Sequence, residues 1–223
     1  MKITFATITL TLAQEADETQ VLLSPRQLSL GPGLGGRRYD QFESMAKLFD
    51  PDFDKKSITD YGCNCPELGD RPLSDPGKGQ PVDELDTVCQ KFKQCAKCAK
   101  EEFGESCISE MIRYGLRGKT CTDSAGTCAR ALCECDLSFA EALSFVDKES
   151  NQDQYGFVSD FNSDEQCIRQ ASGGGEKACC WNGESAFKLY NSDSKQCCPN
   201  GVPKPFGRPC DDTDSGNGGT MPY

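Results

Sequence analysis

The side chains that could carry out chemistry are limited by composition, because the chain of 223 residues contains no histidine. This excludes Ser-His and Cys-His nucleophile pairs and an imidazole general base. One carboxylate set that could act as acid and base is Asp83, Glu84 and Asp86, just after Pro81. Acidic residues in the first turn of a helix usually interact with the helix dipole, so this set is weak support for acid–base catalysis.

The sixteen cysteines offer a second kind of chemistry. Three close pairs have spacings that also occur in zinc sites: Cys63/Cys65, Cys133/Cys135 and Cys95/Cys98. Zinc binding is therefore an alternative interpretation. An oxidising compartment would instead convert these residues to disulfides, which is our interpretation because the N-terminal sequence favours secretion.

The N-terminal segment predicts a secreted, extracellular protein. Residues 1–16, with Lys2 before an apolar run, are typical of a signal peptide. Residues 17–38 form a Gly/Pro/Ser-rich propeptide that ends in the dibasic pair Arg37-Arg38, which predicts processing after Arg38. The alternatives are a buried strand for the first segment and an ordinary solvated linker for the second.

The charge of the chain narrows the range of partners. The formal net charge is −11, and it becomes −12 when residues 1–38, with four basic and three acidic side chains, are removed. An acidic protein is a poor partner for nucleic acid and for anionic membranes, which attract Lys and Arg. Cations, basic proteins and mineral surfaces fit better, and no segment is long enough to span a membrane.

The spacing of cysteines and apolar residues predicts several parts. Ten cysteines fall between Cys63 and Cys135 and six between Cys167 and Cys210, separated by a polar linker over residues 151–166. Apolar residues at helical spacing predict three helices, over "YDQFESMAKLF", over the stretch after the capping residue Asp83, and over "CARALCECDLSFAEALSFV". The second and third helices are suited to antiparallel pairing, and residues 211–223 read as a disordered acidic tail.

These motifs resemble the secreted phospholipase A2 family over residues 39–150. "DYGCNC" resembles the start of that family's calcium loop, "PVDELDTVCQKFKQC" its catalytic helix and "CECD" the helix that supplies a supporting aspartate. The resemblance implies a mainly α, disulfide-rich fold with two long antiparallel helices and an N-terminal helix. A small disulfide-rich irregular or β module is expected to follow.

The same resemblance implies that the chemistry is lost. The family's catalytic histidine falls on Phe92 and its calcium-binding aspartate on Lys93, while the supporting aspartate is retained as Asp136. Pro66 and Leu68 occupy positions of the calcium loop where glycine conformations are needed. We therefore expect neither hydrolysis nor a calcium cofactor. Some venom homologues damage membranes without hydrolysis and also carry Lys at the metal position, but they rely on a strongly basic surface.

The resemblance also implies four disulfides: Cys65 with Cys89, Cys95 with Cys135, Cys121 with Cys133, and Cys107 with Cys128. By the family's pattern, Cys63 reaches a cysteine beyond the third helix, of which Cys167 is the nearest in sequence. No family partner is assigned to Cys98.

Residues 167–210 resemble the di-cysteine repeats of galaxin-like matrix proteins. Two adjacent cysteine pairs lie in "CCWNGESAFKLYNSDSKQCC". Adjacent cysteines do not bond each other easily, so each pair is expected to staple separate strands or turns.

Two functions remain open. The first is a catalytically inactive extracellular scaffold or matrix component, associated with calcium, mineral or another matrix protein. The alternative is a phospholipid-binding or weakly active secreted phospholipase A2 that uses an apolar channel beside Phe42.

Overall fold

Two long helices form the centre of the protein in this computed structural model. It describes residues 37–67, 73–146, 152–154, 156, 159–167 and 175–210. Leu68, the predicted signal peptide, the predicted tail and most of the predicted propeptide lie outside these residues. In chain order the described helices are α1 (Arg37–Ala46), α2 (Glu84–Phe103), α3 (Cys128–Leu143) and α4 (Ser163–Gln166), with short 3₁₀ turns at Lys55–Ser57 and Gln152–Gln154.

The start of α2 follows from its sequence. Asp83 caps it, since its side chain accepts a hydrogen bond from the backbone N–H of Asp86. The helix ends at Gly104, whose φ of 91° suits glycine. The intervening apolar stripe is buried, as its three-and-four spacing predicts.

Helices α2 and α3 run antiparallel. Phe92 faces Phe139 with ring centroids 4.4 Å apart, while the later residue Cys95 bridges the earlier residue Cys135. The α-carbons of that bridge are 5.7 Å apart, inside the range that a disulfide requires. Phe42 of α1 stacks on both Phe92 and Phe139.

Both outer helices are shorter than their apolar patterns predict. The first was expected to reach Phe49 and the third Val146, but α1 ends at Ala46 and α3 at Leu143. In each case the chain continues as a tighter turn, in which a backbone N–H donates to the carbonyl three residues earlier. The N–H of Phe49 donates to the carbonyl of Ala46, and the N–H of Phe145 donates to the carbonyl of Ala142. Apolar spacing continues through such a turn, so it does not mark the helix end.

Small hairpins complete the described structure. Strand β1 (Leu116–Arg117) pairs with β2 (Thr120–Cys121) between the long helices. In the C-terminal module, β3 (Lys177–Cys180) pairs antiparallel with β4 (Lys188–Asn191), and β5 (Lys195–Cys197) with β6 (Pro203–Pro205). Within the described residues, no helix combines the length and the apolar character needed to cross a membrane.

All sixteen cysteines form eight disulfides, so no thiolate is left to bind zinc. The four pairs implied by the resemblance are present, and Cys63 is joined to Cys167. Cys180 pairs with Cys197 and Cys198 with Cys210, so the members of each adjacent pair reach different partners. Cys98 pairs with Cys179, which ties the C-terminal module directly to α2.

Aromatic packing adds to the contact between the C-terminal module and α2. Trp181 stacks on Phe187 with ring centroids 4.6 Å apart and meets Phe103, the last residue of α2, edge to face at 5.5 Å. Its indole N–H donates to the carbonyl of Ser185. Aromatic side chains of the module therefore pack against the helical part and share its apolar core.

Candidate functional site

Phe92 lies in the middle of α2, at the position where the resemblance places a general base. Its side chain is 2 % exposed. One face stacks on Phe139 at 4.4 Å between centroids, and Phe42 stacks on Phe139 at 5.0 Å and on Phe92 at 6.2 Å. The ring is thus a packing element, and it has no atom that can accept a proton.

The packing around Phe42 is the evidence on the apolar channel predicted beside this residue. Phe42 is fully buried, with Tyr39 and Phe53 packed edge to face against it at 6.2 and 5.9 Å. Its ring is therefore enclosed by aromatic side chains of this chain on several sides. We do not place a lipid chain against it.

Asp136, the retained aspartate, lies on α3 and is fully buried. The hydroxyl of Tyr114 donates to its Oδ2 at 2.7 Å. Tyr114 is itself held in place, since the side-chain amide of Gln41 donates to its backbone carbonyl. Asp136 thus joins the segment before β1 to the helix pair. Sequence reasoning missed Tyr114 because none of the motifs contains it.

Lys93 follows Phe92 and is 8 % exposed, an unusual environment for an ammonium group. Burial lowers the pKa of Lys93 to about 8, against the opposing influence of the carboxylates of Asp75, Glu110 and Glu67. The position where the resemblance expects a metal-binding carboxylate therefore carries a buried amine among acidic side chains. That amine is partly neutral near pH 8.

A second buried carboxylate, Asp86, organises the loop that corresponds to the predicted calcium loop. It accepts hydrogen bonds from the backbone N–H groups of Cys63, Asn64 and Val82 at 2.7 to 3.0 Å and from the Asn64 side chain at 3.2 Å. Burial raises the pKa of Asp86, and these donors oppose the rise. Asp86 is thus a structural anchor, while its neighbour Asp83 is a helix cap.

Gly62 makes that arrangement possible. Its φ is +59°, and an added Cβ would lie 2.5 Å from Cγ of Asp86. A side chain here is excluded both by backbone conformation and by space.

The loop closes on itself at Pro66. Pro66 is buried, and its carbonyl accepts the N–H of Asp60 at 2.7 Å. Asp60 has a φ of +57°, the one positive φ among the non-glycine residues described. A carbonyl engaged in this bond is less available to a cation, and proline has replaced the glycine that the family uses.

The polar segment predicted to be a linker returns to this loop. The N–H of Gly62 donates to the carbonyl of Gln154, and the N–H of Gly156 donates to the carbonyl of Asp60, each at 3.0 Å. The bridge from Cys63 to Cys167 fixes the far end of the segment. The described residues of the predicted linker therefore contact the loop that corresponds to the predicted calcium loop.

Lys78 connects the loop to the predicted linker. Its ammonium lies 2.9 Å from Glu67 and 2.7 Å from Asp164, and it donates to Ser163 Oγ at 2.9 Å. Although burial lowers the pKa of Lys78, the hydrogen bonds to Asp164 and Glu67 raise it overall. Sequence reasoning missed Lys78 because its partners are up to 86 residues away.

Comparisons with known proteins relate the chain to one protein family. The sequence model of the family described as Phospholipase A2 matches residues 39–156. The chain is 29 % identical over 117 residues to "Basic phospholipase A2 1" of Naja sagittifera, covering 52 % of this chain and 85 % of that protein. It is 35 % identical over 92 residues to "Basic phospholipase A2 beta-bungarotoxin A1 chain" of Bungarus candidus, covering 40 % of this chain and 60 % of that one.

A third relative is "Basic phospholipase A2 beta-bungarotoxin A-AL4 chain" of Bungarus multicinctus, 36 % identical over 84 residues. That alignment covers 37 % of this chain and 56 % of the relative. The chain thus spans less than two thirds of the two bungarotoxin chains. All three relatives are named as basic, whereas this chain has a formal net charge of −11.

Proposed function

The chain belongs to the phospholipase A2 family, and we propose that it is a secreted member that does not hydrolyse phospholipid and serves as an extracellular scaffold or matrix component. The observation that carries this proposal is the environment of Phe92, a ring stacked on Phe139 in the buried core. A phenylalanine there cannot activate water, and it fills the space in which an imidazole would act.

The second support is Lys93, a buried amine at the position of the family's metal-binding carboxylate. An ammonium repels calcium, and a neutral amine is a poor ligand for this hard cation, which prefers oxygen. Together with the altered loop at Pro66, this leads us to expect no calcium at the family's catalytic site.

The test is hydrolysis of mixed phospholipid micelles with and without added calcium, beside a basic venom phospholipase A2 as positive control. We expect release of fatty acid at the rate of the buffer blank under both conditions. Turnover by the purified chain at a rate comparable to the control would overturn the proposal and show that another group activates water.

The matrix role rests on two further features. The chain is acidic, with a formal net charge of −11, and acidic surfaces suit cations and mineral. The C-terminal module resembles galaxin-like matrix proteins, and its adjacent cysteines bond to different partners. Mass spectrometry of a shell, skeleton, otolith and body fluid from the source organism tests this role. Recovery from body fluid alone would argue against it.

A second candidate function is phospholipid binding without hydrolysis. It is favoured by the uneven distribution of charge along the chain. Residues 167–210 contain six basic and three acidic side chains, although the chain as a whole is strongly acidic. Sedimentation of the wild-type protein with phospholipid vesicles tests it directly.

A further inference from the structure

The dipeptide Asn-Gly occurs twice in the part of the C-terminal module that the structure describes, as Asn182-Gly183 and as Asn200-Gly201. Glycine after asparagine favours a spontaneous reaction, in which the backbone nitrogen of the glycine attacks the side-chain amide of the asparagine. The two groups are neighbours in the chain, and glycine has no side chain that would obstruct ring closure. The two dipeptides lie in different surroundings, so their reactivity should differ.

The side-chain carbonyl of Asn182 is surrounded by hydrogen-bond donors. Its Oδ1 accepts the backbone N–H of Ser185 at 2.8 Å, the hydroxyl of Ser185 at 2.9 Å and the N–H of Glu184 at 3.0 Å. Negative charge develops on this oxygen when a nucleophile attacks the amide carbon. Donors aimed at an oxygen where charge develops stabilise the transition state. The fold therefore polarises the amide of Asn182 toward attack.

The nucleophile next to Asn182 is also available. Asn182 is exposed to solvent, and within the described residues the N–H of Gly183 donates to no acceptor. Attack requires this nitrogen to give up its proton, and an N–H that is bonded to a carbonyl gives it up less readily. The nitrogen of Gly183 is thus free of the hydrogen bond that would slow the reaction.

The second Asn-Gly pair is protected by its own hydrogen bonds. The N–H of Gly201 donates to the carbonyl of Cys198 at 2.8 Å, and Gly201 is buried. Oδ1 of Asn200 accepts the N–H of Val202 at 3.1 Å, whereas three donors reach Oδ1 of Asn182. Both the nucleophile and the amide are therefore less reactive at Asn200-Gly201.

From this contrast we propose that Asn182-Gly183 is a site of spontaneous deamidation built into the fold, and that Asn200-Gly201 is not. Hydroxide from solvent removes the N–H proton of Gly183, whose nitrogen then forms a bond to Cγ of Asn182. The bond from Cγ to Nδ2 breaks as Nδ2 takes a proton from water, so ammonia leaves and a succinimide remains. Water then opens the succinimide at either carbonyl, which gives aspartate or isoaspartate. The reaction consumes only water and involves no oxidation or reduction.

The loop over residues 182–185 joins the C-terminal module to the helical part. The N–H of Gly126 donates to the carbonyl of Gly183 at 3.0 Å, and the guanidinium of Arg130 donates to the carbonyl of Glu184 at 3.4 Å. Gly126 lies just before α3, and Arg130 lies in the first turn of that helix. A change in the backbone of this loop therefore acts on the contact between the module and α3.

Deamidation changes the loop in two ways. Nδ2 of Asn182 donates to the carbonyl of Asn200 at 3.3 Å, and a carboxylate oxygen in its place would set two acceptors against each other. Isoaspartate also lengthens the backbone before Gly183, which displaces the carbonyl that Gly126 contacts. We expect the module to be held less firmly against α3 after the reaction.

The test is peptide mapping by mass spectrometry of the full, disulfide-bonded chain during several weeks in neutral buffer. The peptide that contains Asn182 should deamidate at least about tenfold faster than the peptide that contains Asn200, since one retained hydrogen bond accounts for a factor of this size. The reduced and denatured chain is the control. Both peptides should react at similar rates there, because both contain Asn-Gly and neither is folded.

A variant separates activation of the amide from simple immobilisation of the side chain. Ser185→Ala removes the hydroxyl donor and should slow the reaction at Asn182 roughly threefold, because the amide is less polarised. Ser194→Ala removes an exposed hydroxyl of the same module and should leave the rate within about twofold of wild type. Hydrogen exchange at the amide of Gly126 gives a second measurement and should be faster in the deamidated protein.

The outcomes decide the proposal. Preferential reaction at Asn182 in the folded chain, slowed in S185A and unchanged in S194A, supports it. Equal rates at Asn182 and Asn200 in the folded chain, or no reaction at Asn182, overturn it. A reaction in S185A as fast as in wild type or faster also overturns it, because the donors would then not activate the amide. Unchanged exchange at Gly126 after deamidation would overturn the proposed effect on the contact with α3.

Discussion

The rings of Phe92 and Phe139 stack with centroids 4.4 Å apart and planes 13° from parallel, so a residue in the middle of α2 contributes to the core of the protein. Stacked aromatic pairs stabilise a fold by more than the area they bury. The position where the resemblance places a general base therefore helps to maintain the contact between α2 and α3.

Restoring histidine at this position should damage the fold without reviving activity. We expect Phe92→His to lower the free energy of unfolding by about 2–4 kcal/mol, because a polar ring replaces a stacked apolar one. Urea denaturation measures the change. Phe145→His, at an exposed site, should stay within about 0.5 kcal/mol of wild type. Equal stability of F92H and wild type would show that the stack contributes little.

Stability should rise with pH as Lys93 loses its proton. The pKa of Lys93 is about 8 in the folded protein and 10.5 in its ordinary state, so above pH 8 the unfolded chain holds a proton that the folded chain has released. Raising the pH then favours the folded state, by roughly 3 kcal/mol over the full interval. Below pH 8 Lys93 is protonated in both the folded and the unfolded state, so it adds no pH dependence to stability.

The measurement is best made between pH 8 and 10. Burial raises the pKa of Tyr39 to about 12, so above pH 10 the folded tyrosine keeps a proton that the unfolded one releases, which lowers stability. Denaturation midpoints should increase across the window in wild type and not in Lys93→Met. A parallel increase in both proteins would assign the effect to another group.

The anchor of the loop at Asp86 predicts a strong effect at Gly62. We expect Gly62→Ala to destabilise the protein by about 3 kcal/mol or more, since the methyl group would meet the Asp86 carboxylate 2.5 Å away and φ is positive. Gly118→Ala is the matched control, because its φ is +56° but nothing lies within 4 Å. It should cost about 1 kcal/mol. Similar losses in both variants would mean that backbone strain alone decides.

The cysteine pairing can be tested chemically. Peptide mapping without reduction should link Cys95 to Cys135 and Cys98 to Cys179. Replacing both Cys98 and Cys179 by serine should cost about 2–5 kcal/mol, because a long loop is then released in the unfolded chain. A peptide that links Cys95 to Cys98 would contradict the helical arrangement itself.

Processing of the N-terminus remains a prediction. Cleavage after Arg38 would leave Tyr39 as the first residue of the mature protein. In the structure α1 begins at Arg37, so cleavage there would need the first helical turn to open. N-terminal sequencing of the native protein decides the matter, and a mature chain that still contains residues 20–36 would exclude this site.

Local features of the fold could be predicted from sequence spacing, and several disulfides from the family resemblance, whereas other long-range contacts could not be predicted. The cap at Asp83 and the buried stripe of α2 depend on residues three or four positions apart, which sequence spacing reports directly. The partner of Cys98 is 81 residues away, and that of Lys78 lies in a polar segment without periodicity. No local pattern specifies such pairings.

In the candidate site, too, some residues could be identified from the sequence and others only from the fold. Identification of Phe92, Lys93 and Asp136 required only the family motifs. The hydroxyl of Tyr114 at Asp136 and the carboxylates around Lys93 come from segments that the motifs do not contain. The burial that shifts the pKa of Lys93 is a property of the folded chain.

Two disulfides span the predicted linker, Cys63 to Cys167 across 104 residues and Cys98 to Cys179 across 81. A protease that nicked the chain between residues 151 and 166 would therefore release no fragment. The product would be a two-chain molecule that migrates as one species until it is reduced. The C-terminal module would stay attached to α2 through the bridge from Cys98 to Cys179.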